Sequence, residues 1–331
     1  MKLEVTASFR RDAVSHDPQV GASLENPGGG LARKAEQLQL ALPALTFVPY
    51  LSQARHVHIT EALWFTGGPN FSSDVMWNRI EEYKKLEAFK VLWTSDLECL
   101  RWTGNERDAV FEASDVVAAN SNYMFDVLSA YVQPSKLCVL TDPIDPEFVR
   151  PEPKALSMYA SSQVVLEKGI ADIVRLFRGV EGKIERVFLG SPETWGLALK
   201  PQTSYRLDGE LSVVSDRRIK EANREDVKRT AASSWLFASF ARFESFGYAM
   251  AEALLAGCWV FCIDHRVYVD RPVFCFPDVE SAVASLLEFI ETRTLTSVNQ
   301  EGRQFVIDNY SLSVFRSQFM SIVGRGLHGA I

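Results

Sequence analysis

The 331-residue sequence lacks the features of a secreted, membrane-spanning or metal-binding protein. Its five cysteines show no metal-ligand spacing with histidines, and four of them lie inside apolar runs, where buried thiols are common. No apolar run approaches the roughly 18 to 20 residues that a membrane-spanning helix needs. The first residues, Met1–Thr6, lack the apolar core of a signal peptide and predict a strand. We therefore expect a cytoplasmic protein with reduced thiols and no integral membrane segment.

A positive net charge is also absent. The formal net charge of −7 argues against a broad electrostatic grip on nucleic acid or anionic membranes, although a local basic groove is compatible with it. The segment Asp216–Arg229 carries charges of both signs at close spacing, which is typical of a solvated helix face.

What the sequence does contain is an alternation of short apolar runs with helical patterns, which indicates parallel sheets covered by helices. In the first half the predicted strands are Lys2–Ser8, Leu45–Pro49, His56–Thr60, Phe89–Trp93, Asp115–Ala119 and Lys136–Leu140. In the second half they are Ala155–Ala160, Arg186–Leu189, Leu211–Val214, Trp235–Ala238 and Trp259–Ile263. Helices are predicted between and after these strands, among them Leu31–Leu42, Lys168–Arg178, Asp216–Ala232, Phe246–Ala256 and Val279–Thr292, and a last helix over Ser313–Gly326.

A proline-rich segment divides the two halves. Thr141–Pro153 holds four prolines in thirteen residues, which can continue neither a helix nor a central strand. The length suits two α/β domains of ordinary size, and we place them at 1–143 and 144–312.

The most informative segment is Ser239–Gly257, predicted to be a loop and a helix after the strand Trp235–Ala238. Gly247 lets backbone N–H groups approach a ligand closely, and the positive end of the helix attracts anions. Glu244 in the loop and Glu252 in the helix are placed to accept hydrogen bonds from sugar hydroxyls. The alternative is that both glutamates are ordinary loop and helix-surface residues.

The pattern of this segment decides between the two interpretations. Ser-x-x-x-x-Glu, then Phe-Gly, then Glu-Ala-Leu-x-Ala-Gly before a strand resembles the nucleotide-sugar motif of the retaining family-4 glycosyltransferases. The resemblance implies the GT-B fold, in which two Rossmann-like domains face a cleft. It implies that Glu244 faces the donor sugar and that Glu252 holds the ribose hydroxyls. The residues around the helix start would bind the donor, with backbone amides on its phosphates: Ser245, Phe246, Gly247 and Tyr248.

Two weaker matches have the expected order. Pro27–Gly30 resembles the family's first glycine-rich loop, which would place Gly29 and Gly30 against the donor, although a glycine triplet is also a common flexible turn. Lys168-Gly169 resembles a Lys-Gly pair whose lysine neutralises the diphosphate and acts in catalysis. The alternative for Lys168 is a solvated surface lysine.

The sequence also departs from the family at two places. Where the family has Gly-Arg, this chain reads Ala160-Ser161-Ser162, and Arg242 is the candidate to replace the missing cation. Where the family carries a histidine in the first domain, this chain has Ser95. The neighbouring Asp96, at the carboxyl end of a predicted strand, is a further catalytic candidate.

The first domain is the expected acceptor domain, with the helix 313–326 packing back on it as the resemblance implies. Its weak acceptor candidates are His58, Trp64 and Trp102, because flat rings stack on sugars and bases. The alternative is that the two tryptophans pack the domain and that His58 is a satisfied core histidine. A glycan or a lipid-linked saccharide is the common acceptor in the family, and a modified base in DNA is the minority alternative.

The sequence thus predicts a glycosyltransferase of the hexosyltransferase type that retains anomeric configuration. It would use a nucleotide-diphosphate sugar as co-substrate, with no cofactor and no metal, since no carboxylate pair resembles a metal-binding Asp-x-Asp. Two alternatives stay open: a nucleotide-sugar epimerase-like enzyme on a related fold, and a catalytically silent sugar-nucleotide-binding protein. A sugar phosphorylase would need a pyridoxal lysine and a much longer chain, and neither is evident.

Overall fold

Two six-stranded parallel sheets organise the protein. The computed structural model describes residues 4–9, 15–17, 21–23, 30–48, 50–66, 72–94, 99, 102–164, 166–190, 202–242, 244–292 and 297–328. The chain divides into two compact units, each with one of the sheets: unit 1 (Met1–Pro143 and Tyr310–Ile331) and unit 2 (Ile144–Asn309). The predicted α/β class is confirmed.

The N-terminal part of unit 1 alternates strands and helices. Its strands are β1 (Val5–Ser8), β2 (Ser15–Asp17), β3 (Gly21–Ser23), β4 (Thr46–Phe47), β5 (Val57–Glu61), β6 (Phe89–Thr94), β7 (Val116–Ala119) and β8 (Leu137–Val139). Its helices are α1 (Gly30–Ala41), α2 (Leu63–Thr66), α3 (Ser73–Lys84), α4 (Gly104–Ala113) and α5 (Asn122–Leu128). The sheet order is β4-β1-β5-β6-β7-β8, and β2 and β3 form a separate antiparallel hairpin.

Unit 2 repeats the alternation. Its strands are β9 (Ala155–Ser162), β10 (Glu185–Gly190), β11 (Arg217–Ile219), β12 (Ser234–Ser239), β13 (Trp259–Ile263) and β14 (Phe274–Phe276). Its helices are α6 (Ile170–Gly179), α7 (Gln202–Val214), α8 (Arg224–Ser233), α9 (Tyr248–Leu255), α10 (Val279–Thr292) and α11 (Gln300–Tyr310). The order β11-β10-β9-β12-β13-β14 reverses direction between β9 and β12. This is the order of the doubly wound nucleotide-binding fold.

The last helix, α12 (Leu312–His328), belongs to unit 1. It buries Phe315, Phe319, Ile322 and Val323 in one core cluster with residues of α1 and of the sheet. Its Arg316 Nε donates to the carbonyl oxygen of Ala41 at 2.9 Å, and Gln318 Oε1 accepts from the N–H of Thr141 at 3.2 Å. A second cluster, contributed by α2 to α5, covers the sheet as well.

One stretch of the predicted secondary structure is wrong. Leu211–Val214 is the end of α7 rather than a strand, and the predicted helix Asp216–Ala232 is replaced by β11 followed by α8. Leu207, Leu211 and Val214 are buried at helical spacing while Val213 is 81% exposed, so the apolar residues mark one face of a helix. The edge strand β11 has only three residues, two of them arginine, and gives no apolar signal.

Candidate active site

The reversal in strand order defines one edge of unit 2. In open α/β sheets, ligands bind beyond the carboxyl ends of the strands at such a reversal. Here those ends are Ser162 of β9 and Ser239 of β12. The residues that follow them include Lys168 and Glu244, both predicted from sequence to act on the donor.

A glycine brings these two segments into contact. Gly169 has a φ of 67°, and a Cβ at this position would lie 1.9 Å from the carbonyl oxygen of Phe240. Only glycine tolerates both the backbone conformation and the close approach. The backbone N–H of Arg242 donates to the carbonyl oxygen of Glu167 at 2.9 Å and joins the same two segments.

This contact places Lys168 beside Glu244. The ammonium of Lys168 donates a hydrogen bond to Glu244 Oε1, and both side chains are partly exposed, at 28% and 21%. Because both side chains reach solvent, both are accessible to a ligand. The structure therefore brings together two residues that lie far apart in the sequence.

Helix α9 begins at the same edge. Gly247 is its N-cap residue, with a φ of 78°, so no side chain caps the first turn of the helix. Phe246 and Tyr248 flank this glycine with ring centroids 5.0 Å apart, and Ser245 is half-buried. Glu252 lies in the second turn of α9 and is buried, at 3% exposure. The helix start, which attracts anions, thus lies three residues after Glu244.

Arg242 has a different environment from the one expected for a phosphate ligand. Its Nη2 lies 2.7 Å from Oδ2 of Asp172, and its side chain is 67% exposed. Arg175 Nη1 contacts the other oxygen of the same carboxylate at 2.9 Å. A polar cavity of about 350 Å³ adjoins these three residues, and Asp264, His265 and Asp278 also line it.

Sequence reasoning missed three residues on the connection from β13 to β14. Tyr268 Oη and Arg271 Nη1 lie 3.8 Å and 3.7 Å from the position that a Cβ at Gly247 would take. His265 Nδ1 accepts from the N–H of Val267, and burial lowers the pKa of His265 while the Glu244 carboxylate opposes that shift. Their position along the chain could have indicated them, because this connection leaves the same sheet edge as the loop after β12.

Of the six predicted site residues of unit 1, three are buried, one begins a helix, and two lie outside the described residues. Trp64 and Trp102 are 9% and 5% exposed and belong to a core cluster, which favours the packing alternative. His58 is fully buried, with Nδ1 2.9 Å from Thr6 Oγ1, as a core histidine would be. Gly30 is the first residue of α1, whereas Asp96 and Gly29 lie outside the described residues.

Metal-binding clusters and membrane-spanning helices are both absent from the described part of the chain. No group of three or more His, Cys, Asp or Glu is placed there to hold a metal ion. No helix in these ranges is long and apolar enough to cross a membrane.

No protein-family model and no curated protein matches the chain. Solved structures do match it over nearly its whole length. Sucrose-phosphate synthase from Thermosynechococcus elongatus is 13% identical with a TM-score of 0.71, covering 99% of this chain and 90% of its own. Anabaena HepE in complex with UDP and glucose is 10% identical with a TM-score of 0.73, covering 98% and 100%. A glycosyltransferase from Rickettsia africae is 13% identical with a TM-score of 0.65, covering 98% and 99%. These similarities confirm the predicted GT-B fold with its two Rossmann-like units.

Proposed function

We propose that this protein is a glycosyltransferase that moves a hexose from a nucleotide diphosphate to an acceptor hydroxyl. The observation that carries the proposal is the Lys168–Glu244 ion pair at the reversal of strand order in unit 2. That position is where a Rossmann-like sheet binds a nucleotide. The fold is shared with a glycosyltransferase from Rickettsia africae and with HepE, which was solved with UDP-glucose.

The chemistry requires that charge be stabilised in two places. As the bond between the sugar and the diphosphate breaks, negative charge grows on the leaving phosphate and positive charge grows on the sugar ring. Lys168 and the backbone amides at the start of α9 would stabilise the phosphate by fixed positive charge. Glu244 would orient the sugar and face its positive charge. The ion pair holds the two groups at adjacent positions before a donor arrives.

The remaining donor contacts follow from the resemblance. Glu252 would accept hydrogen bonds from the ribose, and Ser245, Phe246, Gly247 and Tyr248 would bind the donor around the helix start. Arg242 is a weaker candidate, because Asp172 already holds its guanidinium. Gly29, Gly30 and Asp96 remain predictions for unit 1, which we propose as the acceptor unit. Retention of configuration, metal independence and a glycan or lipid-linked acceptor are likewise proposals from the resemblance.

The decisive experiment measures nucleotide release from UDP-, ADP- and GDP-sugars, with and without candidate acceptor glycans. We expect one donor to release nucleoside diphosphate at the rate at which the glycosylated product forms. Retention would appear in NMR as the same anomeric configuration in the product as in the donor. Activity in excess EDTA would support metal independence.

The same assay separates the alternatives. A nucleotide-sugar epimerase would change the sugar without releasing nucleotide. A catalytically silent binding protein would bind the nucleotide sugar and leave it intact with every acceptor.

Lys168 provides a matched test of the assignment. Lys168→Ala should weaken nucleoside diphosphate binding by about 10- to 100-fold, because a charged hydrogen bond contributes roughly 1.5 to 3 kcal/mol. Nucleoside monophosphate binding should weaken less. Lys183 is exposed on the turn after α6, so Lys183→Ala is the control and should bind like wild type. Equal losses for both nucleotides would place Lys168 away from the terminal phosphate.

A further inference from the structure

The connection between β13 and β14 carries an arginine in an unusual position. Arg271 is only 7% exposed, although arginine is rarely buried to this extent. Its guanidinium carbon lies 5.0 Å from the ring centre of Phe246 and 5.9 Å from that of Tyr268. Guanidinium groups stack on aromatic faces, which keeps such a cation in a fixed orientation.

The backbone of the connection also fixes this arginine. His265 accepts from the N–H of Val267 and so caps the turn Arg266–Tyr268. The N–H of Arg271 then donates to the carbonyl oxygen of Tyr268 at 3.0 Å. Nη1 of the same arginine lies 3.9 Å from Sδ of Met250 on α9. The side chain is thus directed back towards α9 instead of into solvent.

The arginine and the helix start contribute charge of the same sign at one place. Arg271 Nη1 lies 3.7 Å from the Cβ position at Gly247, the N-cap residue of α9. Helix N-termini carry a partial positive charge, and a guanidinium adds a full one. Positive charges concentrated in this way are stabilised by an anion, and the planar guanidinium suits paired phosphate oxygens.

Two other cations of this edge lie away from the glycine turn. Lys168 is paired with Glu244, and Arg242 with Asp172. The end of β9, Ala160-Ser161-Ser162, offers no cation at all. Within the described part of unit 2, Arg271 is therefore the guanidinium held against the glycine turn.

From this geometry we propose that Arg271 binds the diphosphate of the donor at the start of α9. The proposal rests on the proposed function for the identity of the donor. Beside Lys168, the second cation that binds the phosphates would then come from the β13–β14 connection, and not from the end of β9 or from Arg242.

The test compares Arg271→Gln with Arg266→Gln, a control on the same connection whose side chain is exposed. Binding of UDP, inorganic pyrophosphate and uridine would be measured by titration calorimetry and ligand-observed NMR, with ADP and GDP as further probes. Arg271→Gln should weaken UDP and pyrophosphate by about 10- to 100-fold and leave uridine within about 2-fold. Arg266→Gln should change none of the three. Unchanged UDP binding in Arg271→Gln, or equal losses for UDP and uridine, would overturn the proposal.

A second measurement uses the folded wild-type chain, in case Arg271→Gln does not fold. The guanidinium signal of Arg271, identified in ¹⁵N-arginine spectra by its absence from Arg271→Lys, should shift with pyrophosphate and not with uridine. An unmoved signal contradicts the proposal. Pyrophosphate binding that depends on Arg271 without binding of any nucleotide would retain the anion site and refute the proposed function. Nucleotide binding that is unchanged in Arg271→Gln would refute the Arg271 site and leave the proposed function standing.

Discussion

Gly169 shows how one residue determines the position of two charged groups. Because its α-hydrogen faces the carbonyl oxygen of Phe240, the loops after β9 and β12 can touch. Lys168 and Glu244 then meet as neighbours of this contact. The Lys-Gly pair is therefore a structural requirement as well as a chemical one, since any side chain at residue 169 would push the two loops apart.

The two glutamates should differ in their effects on kinetics. Glu252→Gln should mainly raise the Michaelis constant for the donor, because a ribose contact is alike in the ground and transition states. If the proposed roles hold, Glu244→Gln should mainly lower turnover, because the lost carboxylate would face the positive charge that develops on the sugar. Steady-state kinetics with the best donor and acceptor would measure both. If Glu244→Gln keeps wild-type turnover, Glu244 is an ordinary loop residue.

His58 should make unit 1 sensitive to acid. Burial lowers the pKa of His58 to about 3, against about 6.5 in the unfolded chain. Between these pH values the unfolded chain binds a proton that the folded chain does not, so stability falls as the pH drops. Going from pH 7 to 5 should cost about 2 kcal/mol through this residue. Urea unfolding of His58→Gln should show a pH dependence smaller by that amount, and identical dependences would contradict the prediction.

The sequence predicted residues whose environment is local and missed those whose neighbours come from other strands. Glu244, Gly247 and Lys168 lie in short patterns that make them site candidates without a structure. Arg271 and Tyr268 lie in a connection with no such pattern, and they approach Gly247 only because β12 and β13 are adjacent. Asp172 likewise could not be foreseen as the partner of Arg242, because that contact joins α6 to the loop after β12.

At the scale of elements, one buried lysine joins the ends of two helices. Lys154 Nζ donates to the carbonyl oxygens of Ala231 and Ala232 at 3.1 and 2.8 Å, and to that of Ala256 at 2.7 Å. These carbonyls lie at the carboxyl ends of α8 and α9, where a positive charge is favourable. The lysine thus anchors α9 at the end opposite Gly247.

Lys154→Met should therefore destabilise the protein by about 2 to 3 kcal/mol, because it leaves buried carbonyls without their donor. The exposed Lys183→Met serves as the control and should stay within about 0.5 kcal/mol of wild type. Urea denaturation monitored by circular dichroism would report both values. If Lys154→Met lowers the free energy of unfolding by less than about 0.5 kcal/mol, water donates to these carbonyls in place of the ammonium.

Elements were predictable where their apolar pattern was clear. The central strands β6, β12 and β13 and the helix α10 match the prediction within one or two residues, because each is a strong apolar run or an amphipathic helix. The error at α7 arose because a short buried face of a helix gives the same apolar run as a strand, and nearby residues do not distinguish the two. The strand β11 was missed because two of its three residues are arginine.

At the scale of the whole molecule, unit 2 is continuous in sequence while unit 1 is not. One core cluster of unit 2 comprises buried residues between Met158 and Phe289, all of them within this continuous segment. The fragment 144–309 should accordingly unfold cooperatively on heating. The fragment 1–143 lacks Phe315 and Phe319 and should not unfold cooperatively. A fragment 144–309 without a cooperative transition would show that its core is insufficient.

During synthesis on the ribosome, the parts of the chain emerge in an order that delays the folding of unit 1. The sheet of unit 1 emerges first, but its core needs α12, which emerges after all of unit 2. The second unit can complete its fold while the first still exposes the surface that Phe315 and Phe319 will cover. The nascent unit 1 is then the part that needs protection by chaperones, and a premature stop codon before α12 would damage a unit that is encoded mostly upstream of unit 2.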